Sequence, residues 1–213
     1  METLSTSTVH LRIASWRKGQ AIYRQGDEGR HWYEVVEGFV ALCHYFGDGR
    51  RQVSRFAGRG DAFGFESGLR QFSAEALTDV GLVGHAFWDD RAPPIDMTPP
   101  SGSHPALQRA LEAVENTMRL FSYPNAMHRT AAFLLQFSTY CEQPDIIELP
   151  MSRQDLADHL GLTMHTVSRS FSELARRSFF ILEKPDRLKV LDRSGLEAMV
   201  EFEKMQGDDQ LVA

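Results

Sequence analysis

The sequence is poor in features that mark several classes of protein. Its 213 residues include only two cysteines, Cys43 and Cys141, which excludes a disulfide framework and a site made of four thiolates for an iron–sulfur cluster or zinc. No run of 18 consecutive apolar residues is present, and residues 1–12 lack the apolar stretch of a signal peptide. We therefore expect a cytoplasmic protein with no membrane partner.

An excess of positive charge is also missing. The chain has 23 Lys and Arg against 29 Asp and Glu, a net charge of −6. Taken alone, this balance argues against nucleic-acid binding, because phosphate contacts need Lys and Arg. The charge is uneven, however: residues 150–190 hold 7 Lys and Arg against 5 Asp and Glu, whereas residues 191–213 hold 2 against 6. The local excess of positive charge in residues 150–190 is compatible with nucleic-acid binding.

The first half of the chain alternates short apolar runs with turns that contain glycine. The runs at 21–23, 32–36, 39–42 and 52–56 are rich in β-branched and aromatic residues, which favour strands. Gly47-Asp48-Gly49 separates two such runs and predicts a hairpin. Turn signals roughly every 8–12 residues indicate a small β-sandwich, barrel or roll.

A proline-rich segment and a helical stripe follow. Residues 92–105 contain five prolines, which predicts a linker or an ordered loop. After this segment, apolar residues at steps of four and three predict one helix over 106–123. Its stripe consists of Leu107, Leu111, Val114, Met118 and Phe121. Such a stripe either packs on the helix's own β domain or forms the interface of a two-helix dimer. Pro124 ends the helix, and a further helix follows before Pro144.

The most specific pattern lies in residues 150–174. Ser152 and Asp155 have the spacing of a capping box at the start of a short helix. Gly161 supplies a tight turn after it, and Thr163 can cap a second helix. Two short helices joined by a turn of a few residues are typical of a helix-turn-helix. Apolar runs at 179–182 and 188–191 then predict a β-hairpin wing with basic residues near its tip.

With these motifs, the chain resembles the Crp/Fnr family of bacterial transcription regulators from about residue 11 to residue 202. The matching patterns lie at 18–27, 33–38, 48–52, 60–64, 73–76 and 129–135, followed by the helix-turn-helix. Residues 151–158 and the Ser170-Phe171 pair are most similar to the FixK-like branch.

The resemblance implies an α+β fold in three parts. Residues 1–105 would form a β-roll sensor domain, similar to cyclic-nucleotide-binding domains, with the proline-rich linker. Residues 106–123 would form the dimerisation helix, and residues 124–213 a winged-helix DNA-binding domain. The implied function is a homodimeric transcription regulator that binds palindromic double-stranded DNA and recruits or blocks RNA polymerase.

The resemblance also assigns roles to single residues. Arg169 matches the arginine that reads guanine, where its fork can donate to O6 and N7 together. Ser168 matches a serine that contacts an adjacent base. His165 departs from the family pattern, which has glutamate there, and it either reads a base or remains a solvated side chain. The positions that hold phosphates are Arg153, Gln154, Thr163 and Thr166.

What the sensor domain detects is left open by the sequence. The family's cyclic-AMP pocket needs a Gly-Glu pair and an Arg-Ser pair, but this chain has Gly64-Phe65-Glu66 and Phe72-Ser73. Arg70 keeps a variant anion site conceivable. We expect no cofactor and no metal. The alternative is a haem-dependent sensor of nitric oxide or carbon monoxide, for which the candidate axial ligands are His10, His31, His44 and His85.

A β-roll is also found in two other classes of protein. A β-roll also occurs in cupin-type enzymes, but residues 1–90 contain no His-x-His spacing for a metal site. We therefore expect no enzymatic activity. A β-roll ligand-binding protein that never touches DNA remains an alternative, although it would have no use for Arg169 and Ser168 on the outside of a helix.

Overall fold

The computed structural model describes residues 13–66, 68–86 and 103–209. The strands of these ranges are β1 (Ile13–Trp16), β2 (Ala21–Tyr23), β3 (His31–Glu37), β4 (Val40–Tyr45), β5 (Arg51–Ala57), β6 (Ala62–Phe63), β7 (Ser73–Ala76), β8 (Val80–Ala86), β9 (Ile146–Glu148), β10 (Phe180–Lys184) and β11 (Arg187–Val190). The helices are α1 (Ser103–Ser122), α2 (Ala126–Phe137), α3 (Arg153–Leu160), α4 (Met164–Arg176) and α5 (Arg193–Asp209), and a 3₁₀ turn covers Ser138–Tyr140.

The first eight strands form a β-roll of two antiparallel sheets. The strand orders are β1-β8-β3-β6 and β2-β7-β4-β5. The predicted hairpin is confirmed: Phe46 N donates to Arg50 O at 2.9 Å, and Gly49 has a φ of +84° that a residue with a side chain rarely adopts. The apolar side chains between the two sheets include Tyr23, Val35, Val40, Leu42, Phe63 and Leu82.

Helix α1 begins inside the segment that was predicted as a linker. The prediction placed the helix over 106–123, whereas it spans Ser103–Ser122. Pro105 lies in the first turn, where a missing N–H removes no intrahelical hydrogen bond, so the proline does not prevent helix formation. The rest of the proline-rich segment, residues 92–102, lies outside the described residues.

The C-terminal part is a winged helix-turn-helix. Strands β10 and β11 pair as the predicted wing, and β9 adds a third strand in the order β10-β11-β9. Helices α3 and α4 follow each other across Gly161, and α2 packs on α4 and α5. The α+β fold, with a β-roll, a long helix and a winged helix-turn-helix, is thereby confirmed. Among the described helices, none has the length and hydropathy that crossing a bilayer requires.

The β-roll and the DNA-binding part share one apolar core. Ala41, Cys43, Val53 and Phe56 of the roll are buried in the same cluster as side chains of α2, α3 and α4. We call the contact between β5 and α3 the joint. The β-roll and the helix-turn-helix are therefore packed directly against each other at the joint.

Candidate DNA-binding interface

Helix α3 starts at the predicted capping box. Ser152 Oγ accepts a hydrogen bond from Asp155 N at 3.1 Å, and Asp155 Oδ2 accepts one from Ser152 N at 2.8 Å. The cap satisfies two backbone donors that the first turn leaves free. Leu156 and Leu160 are fully buried. The cap and the buried face fix both the start and the orientation of α3.

The turn between α3 and α4 is also as predicted. Gly161 ends α3 with a φ of +64°, and its N–H donates to Ala157 O. Thr163 caps α4, and its Oγ1 accepts from Thr166 N at 3.1 Å. Ala157 has no exposed surface, so the two helices approach closely where a larger side chain would separate them. This geometry directs the first two turns of α4 away from the core.

The outer face of α4 presents the residues that were predicted to read bases. Met164 is 51% exposed, and His165, Ser168 and Arg169 are exposed as well. Ser168 Oγ donates to Met164 O at 2.9 Å, which leaves its lone pairs open. Arg169 makes no ion pair or hydrogen bond with any described residue. Its full set of N–H donors is therefore available to a ligand.

The arginines at the C-terminal end of α4, Arg176 and the following Arg177, are already engaged. Arg176 Nη2 lies 2.8 Å from Glu173 Oε1, and Arg177 Nε lies 2.7 Å from the same oxygen. These contacts lower the pKa of Glu173 to about 2, so it stays ionised and keeps both guanidiniums occupied. Among the described residues of α4, Arg169 is therefore the arginine whose donors are not engaged by a carboxylate.

Arg153 occupies a position that the sequence did not indicate. Its guanidinium carbon lies 3.4 Å from the centre of the Phe171 ring, and its Nη2 donates to Pro185 O at the wing turn at 3.0 Å. Burial lowers its pKa to about 10. Arg153 therefore links α3 to α4 and to the wing. Its contact with a DNA phosphate stays a prediction, and the N–H groups that do not bond Pro185 would have to make that contact.

The remaining predicted phosphate contacts lie close to the two helix starts. Gln154 Nε2 donates to Asp158 Oδ1 at 2.6 Å, and the hydroxyls of Thr163 and Thr166 are 2.8 Å apart. All three side chains have local partners. Their roles on DNA stay predictions, because local hydrogen bonds neither supply nor exclude a phosphate contact.

The apolar stripe on α1 is largely exposed to solvent. Ala106, Ala110 and Leu120 are the buried residues of this helix. The predicted seam is exposed instead, with Leu107 at 48%, Leu111 at 58%, Val114 at 44%, Met118 at 68% and Phe121 at 42%. Val114, Met118 and Phe121 also border a groove whose other wall belongs to the β-roll, at His44, Gln52, Ser54 and Phe72. The seam is therefore partly open to water and not buried against its own β domain. A continuous exposed apolar stripe is typical of a surface that another molecule covers.

The interior of the β-roll does not offer Arg70 as a free anion clamp. The Arg70 side chain is buried, with its guanidinium 4.2 Å from the centre of the Tyr23 ring. Its Nη1 donates to Gly64 O at 2.6 Å, and its Nη2 donates to His31 O. The backbone acceptors and the nearby Glu66 carboxylate occupy Nη1 and Nη2, and Nε is sealed from solvent without a partner.

Two of the candidate haem ligands, His44 and His85, contact other groups of the protein. His44 Nδ1 lies 2.9 Å from Gln71 O, and the His85 ring stacks on Trp32 at 3.9 Å. His10 lies outside the described residues. Within the described ranges, no three His, Cys, Asp or Glu side chains are grouped as a metal site.

The joint contains polar contacts that sequence reasoning missed. Arg51 Nη2 donates to Asp155 Oδ1 at 2.7 Å, and its Nη1 donates to Asp158 Oδ2 at 3.3 Å. His159 is 3% exposed, and its Nδ1 lies 3.1 Å from Val53 O. A ring nitrogen that faces a carbonyl must carry the proton. These contacts join residues more than 100 positions apart, so no local signal could have revealed them.

The Arg51 contact gives a first testable expectation. The Arg51→Ala variant should lower the free energy of unfolding by about 2 kcal/mol, because two half-buried carboxylates lose their shared partner. The matched control is Arg50→Ala, whose ion pair with Asp48 is exposed to solvent and should therefore change the free energy of unfolding far less. Urea unfolding at one protein concentration measures both variants. Equal losses would show that Arg51 does not hold the joint.

His159 gives a second expectation, in the dependence of stability on pH. Burial lowers its pKa from 6.5 to about 4 in the folded protein. The unfolded chain therefore binds this proton more tightly, so stability falls as pH drops from about 6.5 towards 4, by up to about 3 kcal/mol. His159→Gln should remove this part of the slope, measured by urea unfolding between about pH 5 and 7. The exposed control, His165→Gln, should retain it, and identical slopes in both variants would contradict the assignment.

The geometry defines a class of protein. A winged helix-turn-helix with a free guanidinium on its second helix, packed against a β-roll, is the architecture of a DNA-binding transcription regulator with a sensor domain. Two family models match the same two parts of the chain. Residues 128–199 match the Crp-like helix-turn-helix domain, and residues 13–84 match the cyclic nucleotide-binding domain.

Individual relatives agree with this class. The chain is 34% identical to the nitrogen fixation regulation protein FixK of Azorhizobium caulinodans, over 87% of this chain and 78% of the relative. It is also 34% identical to FixK of Rhizobium meliloti, over 88% and 86%. The solved structure of FixK2 from Bradyrhizobium japonicum matches with a TM-score of 0.76 at 31% identity, over 88% of this chain and 96% of that one. The chain belongs to the Crp/Fnr family of transcription regulators, in its FixK-like branch, and is not an enzyme.

Proposed function

We propose that this regulator acts as a homodimer that reads a palindromic operator. The exposed stripe on α1 supports the dimer, because a second copy of the same helix would remove all five apolar side chains from water. Two-fold symmetry then places the two α4 helices in major grooves about one duplex turn apart, roughly 34–36 Å. The operator would therefore be an inverted repeat with that spacing between half-site centres.

Within each half-site, Arg169 is the main reader of sequence. The observation that carries this role is its free, exposed guanidinium on a helix whose other arginines are paired with Glu173. A guanidinium fork donates to O6 and N7 of one guanine, a pattern that no other base pair presents. Ser168 and His165 lie on the same outer face and contact adjacent bases. Phosphate contacts near the helix starts set the register without reading sequence.

Selection from random duplexes tests this proposal. The full chain is mixed with a pool of randomised double-stranded DNA, and bound molecules are recovered over several rounds of mobility shift. The expected product is an inverted repeat with one guanine at the same position of each half-site. Recovery of sequences without two-fold symmetry would overturn the dimeric readout, even if the protein still bound DNA.

The bound dimer regulates transcription by recruiting or blocking RNA polymerase in the cytoplasm. Which of the two occurs depends on where the operator lies relative to the promoter. Transcription in vitro with the operator placed upstream of a promoter, or overlapping it, separates the two effects. No change in transcript from either template would contradict a functional encounter with polymerase.

The β-roll works without a cyclic nucleotide or haem. Arg70 supports this proposal, because both of its terminal nitrogens donate to backbone carbonyls or to Glu66 and its Nε is not accessible. Burial also raises the pKa of the Cys43 thiol to about 11, which keeps it protonated and poorly reactive. The test is the absorption spectrum and nucleotide content of protein purified without oxygen. A Soret band would favour the haem-dependent gas sensor instead.

A further inference from the structure

Arg51 of the β-roll pairs with both acidic side chains of α3. Its Nη2 lies 2.7 Å from Asp155 Oδ1, and its Nη1 lies 3.3 Å from Asp158 Oδ2. Among the described residues, no other Lys or Arg lies within ion-pair distance of either carboxylate. Although burial opposes it, hydrogen bonds from Ser152 and from Arg51 lower the pKa of Asp155, so this carboxylate is ionised at neutral pH. The negative charge of α3 is therefore compensated from the other domain.

The same two carboxylates lie next to groups that are proposed to face the DNA backbone. Asp158 Oδ1 accepts a hydrogen bond from Gln154 Nε2 at 2.6 Å, and Gln154 is an exposed side chain with a predicted phosphate contact. Asp155 lies in the first turn of α3, where the helix dipole would otherwise attract a phosphate. Without a compensating cation, both carboxylates would therefore repel the duplex.

Arg51 itself is poorly placed to contact DNA. Its side chain is 24% exposed, and both of its terminal nitrogens donate to carboxylates of α3. Its Nε is buried without a hydrogen-bond partner. Glu75 Oε2 lies 4.0 Å from Nη2, but the other oxygen of Glu75 accepts from Tyr45 Oη within the roll. Any effect of Arg51 on DNA must therefore pass through the side chains of α3.

We propose that Arg51 is a positioning residue for DNA binding, which neutralises Asp155 and Asp158 and holds Asp158 in place beside Gln154. The β-roll thereby adds to the affinity for DNA without touching the duplex. Separation of the roll from α3 at the joint would leave both carboxylates uncompensated and would weaken binding. This inference rests on the proposed function, and it names one route by which the sensor domain regulates DNA binding.

Fluorescence anisotropy of the Arg51→Gln variant, with the selected operator and a scrambled duplex, tests the inference. At about 50 mM salt, the affinity for both duplexes should fall by about 10-fold, because each subunit loses one compensating charge. The ratio of the two affinities should stay unchanged, since Arg169 is intact. The loss should shrink at about 300 mM salt, where charges are screened over a shorter distance. The matched control is Arg50→Gln, whose partner Asp48 is exposed, and its affinities should change by less than about 2-fold.

A second substitution separates charge compensation from a purely structural role. Asp158→Asn removes a negative charge but keeps an oxygen that can accept from Gln154. The double variant Arg51→Gln/Asp158→Asn should regain most of the lost affinity at low salt, with circular dichroism confirming that each variant is folded. A double variant that binds as weakly as Arg51→Gln would overturn the inference, as would equal effects of Arg51→Gln and Arg50→Gln.

Asp158→Asn alone decides the question if Arg51→Gln does not fold. It should raise the affinity for both duplexes by about 3-fold at low salt, because it removes a charge that repels phosphate. An unchanged or lower affinity would contradict the inference. All of these outcomes are independent of whether the unaltered protein selects an inverted repeat, which is the test of the proposed function itself.

Discussion

Replacing Arg169 with alanine should abolish the preference of the regulator for its operator over unrelated DNA. A bidentate contact with guanine discriminates against the wrong base by about 1–3 kcal/mol, and a dimer makes this contact twice. The ratio of specific to non-specific affinity should therefore fall by about 30-fold to 10⁴-fold. Fluorescence anisotropy with the selected operator and a scrambled duplex, at one salt concentration, measures the ratio.

Two control variants separate the recognition of base sequence from the non-specific attraction between arginine and DNA. Arg169→Lys keeps the charge but loses the planar fork, so it should retain most non-specific affinity while losing specificity. Arg176→Ala removes an arginine that Glu173 already engages, and it should leave the ratio nearly unchanged. Loss of specificity in both Arg169→Ala and Arg176→Ala, or in neither, would contradict the role of Arg169.

The Leu111→Lys variant should convert the dimer to a monomer at micromolar concentration. Leu111 is 58% exposed at the centre of the α1 stripe, and each buried leucine contributes about 1.5–3 kcal/mol. Two copies per dimer should weaken association by about 10²-fold to 10⁴-fold. Analytical ultracentrifugation without DNA measures the mass, and affinity for the full operator should fall towards that for a single half-site.

The neighbouring position supplies the control. Glu112→Lys introduces the same side chain one residue away, on an exposed part of α1 outside the stripe. It should remain dimeric and should not lose operator affinity. If Leu111→Lys and Glu112→Lys behave alike, the stripe is not the dimer interface.

The parts that sequence reasoning predicted correctly depend on local signals. The capping box of Ser152 and Asp155, the positive φ of Gly161 and the buried side of α4 each follow from residues within about one helical turn of each other. The hairpin at Gly49 is equally local. For this reason the helix-turn-helix and the general architecture were predictable before any coordinates.

The parts that were missed depend on contacts between distant residues. Arg51 reaches Asp155 across 104 positions, and His159 reaches Val53 across 106. Arg153 was predicted from the family as a phosphate contact, but its stacking on Phe171 depends on how α3 and α4 pack against each other. Long-range polar contacts leave no periodicity in a sequence, so the joint required the three-dimensional structure.

The Asp155 carboxylate links the start of α3 to the contact between α3 and the β-roll. Asp155 uses Oδ2 to accept from Ser152 N and Oδ1 to accept from Arg51. Fraying of the first turn of α3 would therefore also break the contact with Arg51, and loss of that contact would weaken the first turn. The amide hydrogens at the start of α3 and those of β5 should exchange with solvent in a single cooperative opening rather than independently. We therefore expect the β-roll and the helix-turn-helix to open as one cooperative unit, so that local unfolding of either one destabilises the other.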